Sequence, residues 1–290
     1  MPTFTTFVTT KRYAEGAICL AQSLLLYHVP RPVLIIQSTR VCFELLKTLA
    51  ANDLPVDAVV VQLLPDEEAT STSDVPEGER THNGAGAKLE FDSPRRSLFS
   101  KGDPFVYLDC DLLCVAPPME SLRSAFECLR EGEYTIAAVP PFRLKKQAYG
   151  NADGGFNAGV ILCHSCSVDD IEKIDRAVAS AMEEAKISGE SVTTEERILS
   201  DVFKTRWLEL DPKLNLIKRV YKHAPRLWLK LRQNCVFVHY MGAKPWFTPA
   251  EKAQADWDSD GYDKLESIWH QVRRNQFADG ETLTQAFLSV

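Results

Sequence analysis

The stretch that decides the fold is Pro104–Asp111, which reads Pro-Phe-Val-Tyr-Leu-Asp-Cys-Asp. Four apolar residues after a proline predict a short strand that is buried in a mostly parallel sheet. Unpaired charges are costly to bury, so packing alone does not explain why this strand ends in two acids. Side chains two residues apart point the same way from a strand, and we therefore expect Asp109 and Asp111 to converge.

Two converging carboxylates at the C-terminal end of a strand indicate a divalent cation, with phosphate groups as co-ligands. Open α/β sheets also bind their ligands at this end of the strands. The alternative is that the chain leaves the sheet through a turn, where aspartate is common. A D-x-D motif is too short to separate these two interpretations by itself.

The residues before this stretch alternate between strand and helix patterns. Strands are predicted at Phe4–Thr9, Val33–Ile36 and Val56–Leu64, and helices at Tyr13–His28 and Cys42–Ala51. This βαβαβ order predicts a parallel, right-handed sheet of the nucleotide-binding type. Neither G-x-G-x-x-G nor a Walker loop follows the first strand, so the sequence does not support a dinucleotide or P-loop site.

The segment at 65–87 interrupts the alternation. It is rich in Asp, Glu, Ser, Thr and Gly and nearly lacks large apolar residues, which predicts a flexible, solvated loop. The alternative is a mobile flap beside a site. Lys88 follows the loop and precedes a predicted helix at Leu89–Phe99.

Composition and charge exclude several classes of protein. With 45% hydrophobic and 25% charged residues, the 290-residue chain has an ordinary globular composition, and we expect a single domain over residues 1–290. A formal net charge of -7 argues against nucleic acid as the main partner. No apolar run approaches the length of a membrane span, and Met1–Phe4 lacks the features of a signal peptide. We therefore expect a cytoplasmic protein with no membrane partner.

Two motifs in the second half add candidate site residues. Gly154–Leu162 reads Gly-Gly-Phe-Asn-Ala-Gly-Val-Ile-Leu, and its glycines at the start of an apolar strand allow a ligand to approach the backbone. Asn157 in this motif offers a donor and an acceptor, which suits sugar hydroxyls. His239–Trp246 follows a predicted strand and reads His-Tyr-Met-Gly-Ala-Lys-Pro-Trp.

A histidine, a glycine and a lysine in this order can bind one metal ion and one pyrophosphate together. An imidazole that joins two carboxylates shifts the metal preference from Mg²⁺ toward Mn²⁺. Lys244 would stabilise the charge that develops on a phosphate leaving group. For His239 taken alone, a hydrogen-bonded core histidine is the simpler interpretation.

Taken together, these motifs resemble glycosyltransferase family 8, in its glycogenin-like branch. The resemblance covers most of the chain and is carried by Phe7–Thr9, Tyr13–Ala17, Lys88–Leu89, Tyr107–Asp111, Phe156–Val160 and His239–Trp246. It implies a GT-A fold, which is an α/β fold with a mostly parallel, Rossmann-like sheet and helices on both faces. It also implies a UDP-sugar donor, Mn²⁺ and retention of the anomeric configuration.

The resemblance also implies roles for individual residues. The metal ligands would be Asp109, Asp111 and His239. The donor would be bound by Thr9 and Tyr13 at the nucleoside, with Tyr13 stacking on uracil, by Lys88, Gly242 and Lys244 at the phosphates, and by Asn157 at the sugar.

This chain departs from the family pattern at three places, one of which is a loop between Thr9 and Tyr13 that is shorter than in glycogenin. It has one residue fewer between Gly242 and Lys244 than the common family motif. The usual Asp-Gln pair before a helix is Glu195-Glu196 here. Glu195 is still a catalytic candidate, because a longer acid there could touch the sugar or the reaction centre. Two acids in the first turn of a helix are the simpler interpretation.

The sequence thus predicts a retaining, Mn²⁺-dependent hexosyltransferase that moves galactose or glucose from a UDP-sugar to a glycan or glycoprotein hydroxyl. The alternatives are a self-glucosylating glycogenin, an enzyme like the protist ones that cap a glycan on a ubiquitin ligase adaptor with α-galactose, a haloacid-dehalogenase-type phosphatase, and a non-catalytic sugar-binding relative. The apolar spacing of Gly261–Phe277 indicates a core helix or a dimer face, and we expect a homodimer.

Two further hypotheses concern the span between Pro212 and His239. Its seven basic residues and lack of acids predict either contact with an acidic partner or a solvated helix face. In the register of glycogenin, Lys222 occupies the position of the self-modified tyrosine, and Tyr221 lies one residue earlier. We therefore expect an enzyme that acts on another molecule.

Overall fold

The computed structural model describes residues 2–63, 103–150, 155–188 and 195–290 of the chain. The predicted loop at 65–87, Lys88 and the predicted helix Leu89–Phe99 lie outside these residues. In the described part the strands are β1 Thr3–Val8, β2 Leu34–Ser38, β3 Val59–Leu63, β4 Phe105–Leu108, β5 Leu112–Cys114, β6 Ile136–Val139, β7 Phe142–Arg143, β8 Ala148–Tyr149, β9 Asn157–Cys163, β10 Trp207–Glu209, β11 Leu216–Ile217 and β12 Phe237–His239.

Helices separate most of these strands. In chain order they are α1 Ala14–Leu26, α2 Arg40–Asp53, α3 Pro118–Arg130, α4 Val168–Ser188, α5 Glu195–Val202, α6 Arg219–His223, α7 Pro225–Leu231, α8 Pro249–Ala255, α9 Asp263–Arg273 and α10 Gly280–Leu288. None of the helices described is long and apolar enough to cross a membrane.

Seven of the described strands form the main sheet, in the spatial order β10-β6-β9-β4-β1-β2-β3. The pairs β1–β2, β2–β3, β1–β4 and β6–β10 are parallel, whereas β9 runs antiparallel to both of its neighbours. The predicted parallel arrangement of the first three strands is therefore confirmed. All four residues of β4 are buried, as expected for a strand covered on both faces.

Helices cover both faces of the sheet. Alternate residues of each strand face opposite sides and therefore join different cores. Val106 and Leu108 of β4 join the core formed with α1, α2 and α3. Phe105 and Tyr107 of the same strand join a second core formed with α4 and α5. The predicted α/β fold with helices on both faces is thus confirmed.

The predicted boundaries are correct to within a few residues, and the third strand shows why they are not better. The prediction began this strand at Val56, whereas β3 begins at Val59. The backbone N–H of Ala58 donates to the carbonyl of Pro55 at 2.9 Å, so a turn precedes the strand and leaves Val56 exposed. Hydrophobicity alone did not distinguish the turn residue from the strand residues.

A second sheet, in the order β11-β12-β5, lies next to the end of β4. Strand β12 pairs in parallel with β11 and antiparallel with β5. The sheet packs against α9 and α10, and Leu265 and Trp269 of α9 are buried in this core. The apolar face predicted within Gly261–Phe277 is therefore a core face of the chain itself.

Candidate functional site

Asp109 and Asp111 lie in the turn that joins β4 to β5. The backbone N–H of Leu112 donates to the carbonyl of Asp109 at 3.2 Å, and that of Asp109 donates to the carbonyl of Gly159 at 2.8 Å. The prediction that both side chains project from an extended strand is therefore wrong, because the strand ends at Leu108. A turn brings them together instead, so the alternative interpretation, that the chain leaves the sheet through a turn, is correct, and the cation site stays a prediction.

His239 reaches this turn through the second sheet. It lies opposite Leu112 in the β5–β12 register, and the backbone N–H of Tyr240 donates to the carbonyl of Asp111 at 3.0 Å. As a result, His239 Nε2 lies 3.3 Å from Asp111 Oδ1 and 3.7 Å from Asp109 Oδ2. The structure thus brings together the three residues predicted as metal ligands.

These three side chains offer one ligand atom each, and the three atoms lie within 4.8 Å of one another. Within the described ranges, no other group of His, Cys, Asp or Glu side chains meets this criterion. The Asp109 side chain is 28% exposed, whereas those of Asp111 and His239 are 7% and 4% exposed, so the cluster opens to solvent on the Asp109 side. Two carboxylates and an imidazole suit a divalent transition-metal ion such as Mn²⁺.

The backbone around the cluster is shaped for the histidine ring. A Cβ on Gly159 would lie 2.4 Å from His239 Cε1 and 2.6 Å from its Nδ1, so only glycine leaves room for the imidazole. On the other side, the hydroxyl of Tyr107 donates to Asp109 Oδ1 at 2.6 Å. These contacts hold two of the three candidate side chains in place, and the chemistry of the set fits a divalent cation.

Lys244 lies beside the cluster and pairs with Asp111. Its ammonium bonds Asp111 Oδ2 and donates to the carbonyl of Tyr240 at 3.3 Å, and the side chain is buried. Burial raises the pKa of Asp111, but Lys244 and His239 outweigh burial and hold that pKa well below its usual range. Burial lowers the pKa of Lys244, but Asp111 outweighs burial and raises it. The pair is therefore fully charged around neutral pH.

The ring of Tyr13 lies next to Lys244 at the site. Lys244 Nζ lies 5.9 Å from the centre of its ring, and Trp246 meets the ring edge-on at 5.9 Å. Behind it, a Cβ on Gly16 would lie 2.5 Å from the carbonyl oxygen of Cys110 and 2.6 Å from the Trp246 ring. This glycine allows α1 to pack directly on the D-x-D turn, which brings Tyr13 to Lys244.

Asn157 connects to the cluster through a residue that the sequence did not single out. Asn215 Nδ2 donates to Asn157 Oδ1 at 2.6 Å, and Asn215 Oδ1 lies 2.9 Å from His239 Nδ1. Glu196 accepts from Asn157 Nδ2 at 3.1 Å. Asn215 follows a 3₁₀ turn and precedes a strand of two residues, so no motif marked it. Its position between the apolar residues Leu214 and Leu216 was the signal that the sequence offered.

The remaining residues predicted to bind the donor or to act in catalysis do not contact the cluster of Asp109, Asp111 and His239 in the contacts described, or lie outside the described residues. Gly242 has φ +77°, and a Cβ there would lie 1.7 Å from Asp256 Oδ2, so close packing against Asp256 requires this glycine. The carbonyl of Thr9 accepts from the Thr39 hydroxyl at 3.4 Å. Glu195 begins α5. Its side chain and the whole of Lys88 are outside the part of the chain that the structure describes.

Some basic residues of the span after Pro212 pair with aspartates of the same chain. Arg219 Nη2 bonds both carboxylate oxygens of Asp256, at 2.9 and 2.8 Å. Lys222 Nζ and His223 Nε2 bond Asp258 at 2.6 and 2.7 Å, and the Asp258 side chain is fully buried. Of the seven basic residues in the prediction, Arg219 and Lys222 thus have acidic partners within the chain itself.

Comparison with known proteins assigns the family. The sequence profile described as glycosyl transferase family 8 matches residues 4–250. The chain belongs to glycosyl transferase family 8. Membership makes it a glycosyltransferase and excludes the phosphatase alternative. A search of curated proteins found no match to this family 8 chain.

Solved structures agree with the GT-A fold. An active-site mutant of LgtC superposes with a TM-score of 0.58 at 17% identity, covering 94% of this chain and 95% of that one. The glycosyltransferase GlyE of Streptococcus pneumoniae TIGR4 superposes with a TM-score of 0.53 at 17% identity. The match covers all of this chain and 64% of GlyE. At these identities the similarity establishes the fold of the family 8 chain only.

Proposed function

We propose that this protein is a retaining hexosyltransferase that moves galactose or glucose from a UDP-sugar to a hydroxyl of a glycan or glycoprotein. The observation that carries the proposal is the cluster of Asp109, Asp111 and His239 beside Lys244, in a chain of family 8. Its position at the C-terminal end of β4 is where open α/β sheets bind ligands.

The cation of this proposal is Mn²⁺, held by Asp109, Asp111 and His239. When bound there, it would supply Lewis-acid neutralisation of the diphosphate of the leaving nucleotide. Lys244 would supply a fixed positive charge beside the same diphosphate, where negative charge grows in the transition state. Lys88 would meet the phosphates as well, as the family resemblance implies.

The remaining predicted residues would orient the donor. Tyr13 presents an aromatic ring beside Lys244, which suits stacking on the uracil base, with Thr9 at the nucleoside. Asn157 would contact the sugar, and Gly242 the diphosphate through its backbone. Glu195 is the candidate at the reaction centre, since α5 begins at this residue and the next residue, Glu196, bonds Asn157.

Retention follows in this proposal from attack on the face that the leaving group departs. The bond between the anomeric carbon and the phosphate oxygen breaks as the acceptor oxygen bonds to that carbon. The acceptor proton passes to the freed phosphate oxygen, and Lys244 stabilises the charge remaining on the diphosphate.

The acceptor in this proposal is another molecule. Lys222, which occupies the position of the self-modified tyrosine of glycogenin, is bound to Asp258. The ring of Tyr221 packs edge-on against Trp228 with centroids 5.4 Å apart. A tyrosine held in an aromatic pair is poorly placed for a reaction that tolerates little displacement. A cytoplasmic location and a homodimer stay predictions of the sequence.

Hydrolysis of UDP-sugars without an acceptor tests the donor half of the proposal. Wild-type protein, a chelator-treated sample and His239→Gln are compared on a panel of UDP-sugars with Mn²⁺. We expect UDP release from UDP-galactose or UDP-glucose by the wild type alone. An acceptor screen with the preferred donor then defines the product. Release that is unaffected by the chelator and by His239→Gln would refute the proposed site.

A further inference from the structure

Asn215 is a fully buried amide between Asn157 and the metal-ligand candidate His239. It donates from Nδ2 to Asn157 Oδ1 at 2.6 Å, and its Oδ1 lies 2.9 Å from His239 Nδ1. An amide has two chemically different ends, so the orientation of Asn215 decides whether His239 Nδ1 faces an acceptor or a donor.

The orientation of the neighbouring amide of Asn157 is fixed by two groups that have only one possible role. The backbone N–H of Gly159 can only donate, and it meets Asn157 Oδ1 at 3.0 Å. Glu196 Oε2 accepts from the backbone N–H of Ala158 at 3.3 Å, which can only donate, and the same oxygen meets Asn157 Nδ2 at 3.1 Å. If the amide were flipped, its Nδ2 donor would face the N–H donor of Gly159, and its Oδ1 acceptor would face the Glu196 oxygen.

This orientation determines that of Asn215 in turn. Asn157 Oδ1 is an acceptor, so the Asn215 atom 2.6 Å away must be its Nδ2 donor. The carbonyl oxygen of Asn215 then faces His239 Nδ1 and can only accept. In the neutral imidazole, the proton therefore resides on Nδ1, and Nε2 keeps its lone pair.

The Nε2 lone pair is the one that faces the carboxylates, at 3.3 Å from Asp111 and 3.7 Å from Asp109. We propose that Asn215 is a positioning residue, which selects the Nδ1–H tautomer of His239 and thereby prepares Nε2 to bind the cation. Partners on the far ring nitrogen commonly fix the tautomer and orientation of metal-binding histidines. The part of the inference that concerns the cation rests on the proposed function.

Nitrogen NMR of metal-free protein that carries ¹⁵N-labelled histidine tests the tautomer directly. The spectra are recorded at a pH where the ring is neutral, and His239→Gln assigns the signals. We expect a protonated Nδ1 and an unprotonated Nε2 in the wild type. A wild-type ring protonated on Nε2 would overturn the inference, whatever the variants do.

Two variants test whether Asn215 is responsible. Asn215→Leu removes the acceptor at similar size, and we expect a change of tautomer and a loss of Mn²⁺ affinity of about 10- to 100-fold by EPR titration. Asn215→Asp keeps an acceptor for Nδ1–H but loses the donor to Asn157. We expect it to retain the Nδ1–H tautomer and to lose less Mn²⁺ affinity than Asn215→Leu.

A folded Asn215→Leu variant with the wild-type tautomer and Mn²⁺ affinity would overturn the positioning role. If that variant does not fold, Asn215→Ala, which also removes the acceptor, takes its place in the same experiments, and the wild-type tautomer and Mn²⁺ affinity in it would overturn the positioning role. Failure of the proposed function looks different, because a wild type that binds no Mn²⁺ and cleaves no UDP-sugar can still display the Nδ1–H signal.

Discussion

His239 lies directly opposite Leu112 in the antiparallel pair of β12 with β5. Leu112 follows Asp111 in the chain, so this register is what places the imidazole beside the D-x-D turn. A shift of one residue would turn the imidazole to the other face of the sheet. Both strands are fully buried, which opposes such a shift and fixes the geometry of the site.

The space that Gly159 leaves for His239 gives a first prediction. In Gly159→Ala the new Cβ would lie 2.4 Å from the imidazole, so the ring must move. We expect Mn²⁺ affinity and turnover to fall at least about 10-fold, as measured by EPR titration and UDP release. Gly155→Ala is the matched control, because the nearest atom to its Cβ would be Ser200 Oγ at 3.5 Å. Equal effects of the two variants would refute the role of Gly159.

The Asp111–Lys244 pair gives a second prediction. Asp111→Asn leaves a buried ammonium without its counter-charge, so the free energy of unfolding should fall by roughly 3–5 kcal/mol in chemical denaturation. Asp109→Asn should cost much less, because Asp109 is more exposed. Both variants should lose transfer activity.

A double variant separates stability from activity at this pair. Asp111→Asn combined with Lys244→Met removes both charges, and we expect it to recover most of the lost stability without regaining activity. Recovery of Mn²⁺-dependent activity in the double variant would contradict the assignment of Asp111 as a metal ligand.

The role of Lys244 gives a third prediction. Lys244→Met should lower kcat about 10²-fold or more and weaken donor binding, because the ammonium meets charge that grows in the transition state. Lys252→Met is the control, since Lys252 pairs with Glu266. Steady-state kinetics on the preferred UDP-sugar give kcat and KM for both variants. An unchanged kcat in Lys244→Met would mean that Lys244 only pairs with Asp111 and does not act on the leaving diphosphate.

The buried carboxylate of Asp258 gives a fourth prediction. Burial raises the pKa of Asp258, but hydrogen bonds from Lys222, Tyr262 and His223 outweigh burial and lower it to about 2. Because the folded-state pKa is depressed, the ionised group stabilises the fold above the ordinary aspartate pKa of about 3.9. That contribution is lost as the pH falls through about 2.

Comparison of wild type with Asp258→Asn measures this effect. At pH 6 we expect Asp258→Asn to lower the free energy of unfolding by roughly 3–5 kcal/mol, the usual loss when one partner of a buried ion pair is removed. The difference in the free energy of unfolding between wild type and Asp258→Asn should become smaller as the pH falls below about 4. Asp260→Asn, at an exposed position, is the control. A difference that does not change with pH would contradict the ion-pair account.

Self-modification gives a fifth prediction. Incubation with Mn²⁺ and UDP-glucose or UDP-galactose should leave the intact mass of the protein unchanged, because Tyr221 packs against Trp228 and Lys222 pairs with Asp258. Mass spectrometry of wild type and Tyr221→Phe decides. A ladder of hexose additions in the wild type that is lost in Tyr221→Phe would favour a glycogenin instead.

The fold and the cluster of Asp109, Asp111 and His239 could be predicted because their sequence signals are local. The apolar run of β4 and the βαβαβ order predict the parallel sheet, and the D-x-D motif with His239 predicts the three side chains that the structure brings together. The predicted strand geometry at Asp109 failed because the turn after Leu108 is defined by the hydrogen bond from the Leu112 N–H to the Asp109 carbonyl, which the apolar pattern of the sequence does not reveal.

The residues behind the ligands could not be predicted from motifs. Asn215 meets Asn157 and His239 only after β11 and β9 have been placed in different sheets. The same holds for the basic span, whose partners Asp256 and Asp258 follow more than thirty residues later. Contacts between distant segments depend on the assembled topology, which periodicity does not encode.

EPR titration of Mn²⁺ in the presence of UDP tests the central claim most directly, with wild type compared to folded His239→Leu and Asp109→Asn. The account predicts saturable Mn²⁺ binding by the wild type and a loss of affinity of at least about 10-fold in both variants. Equal Mn²⁺ binding by wild type and variants would contradict the assignment of Asp109, Asp111 and His239 as the metal site.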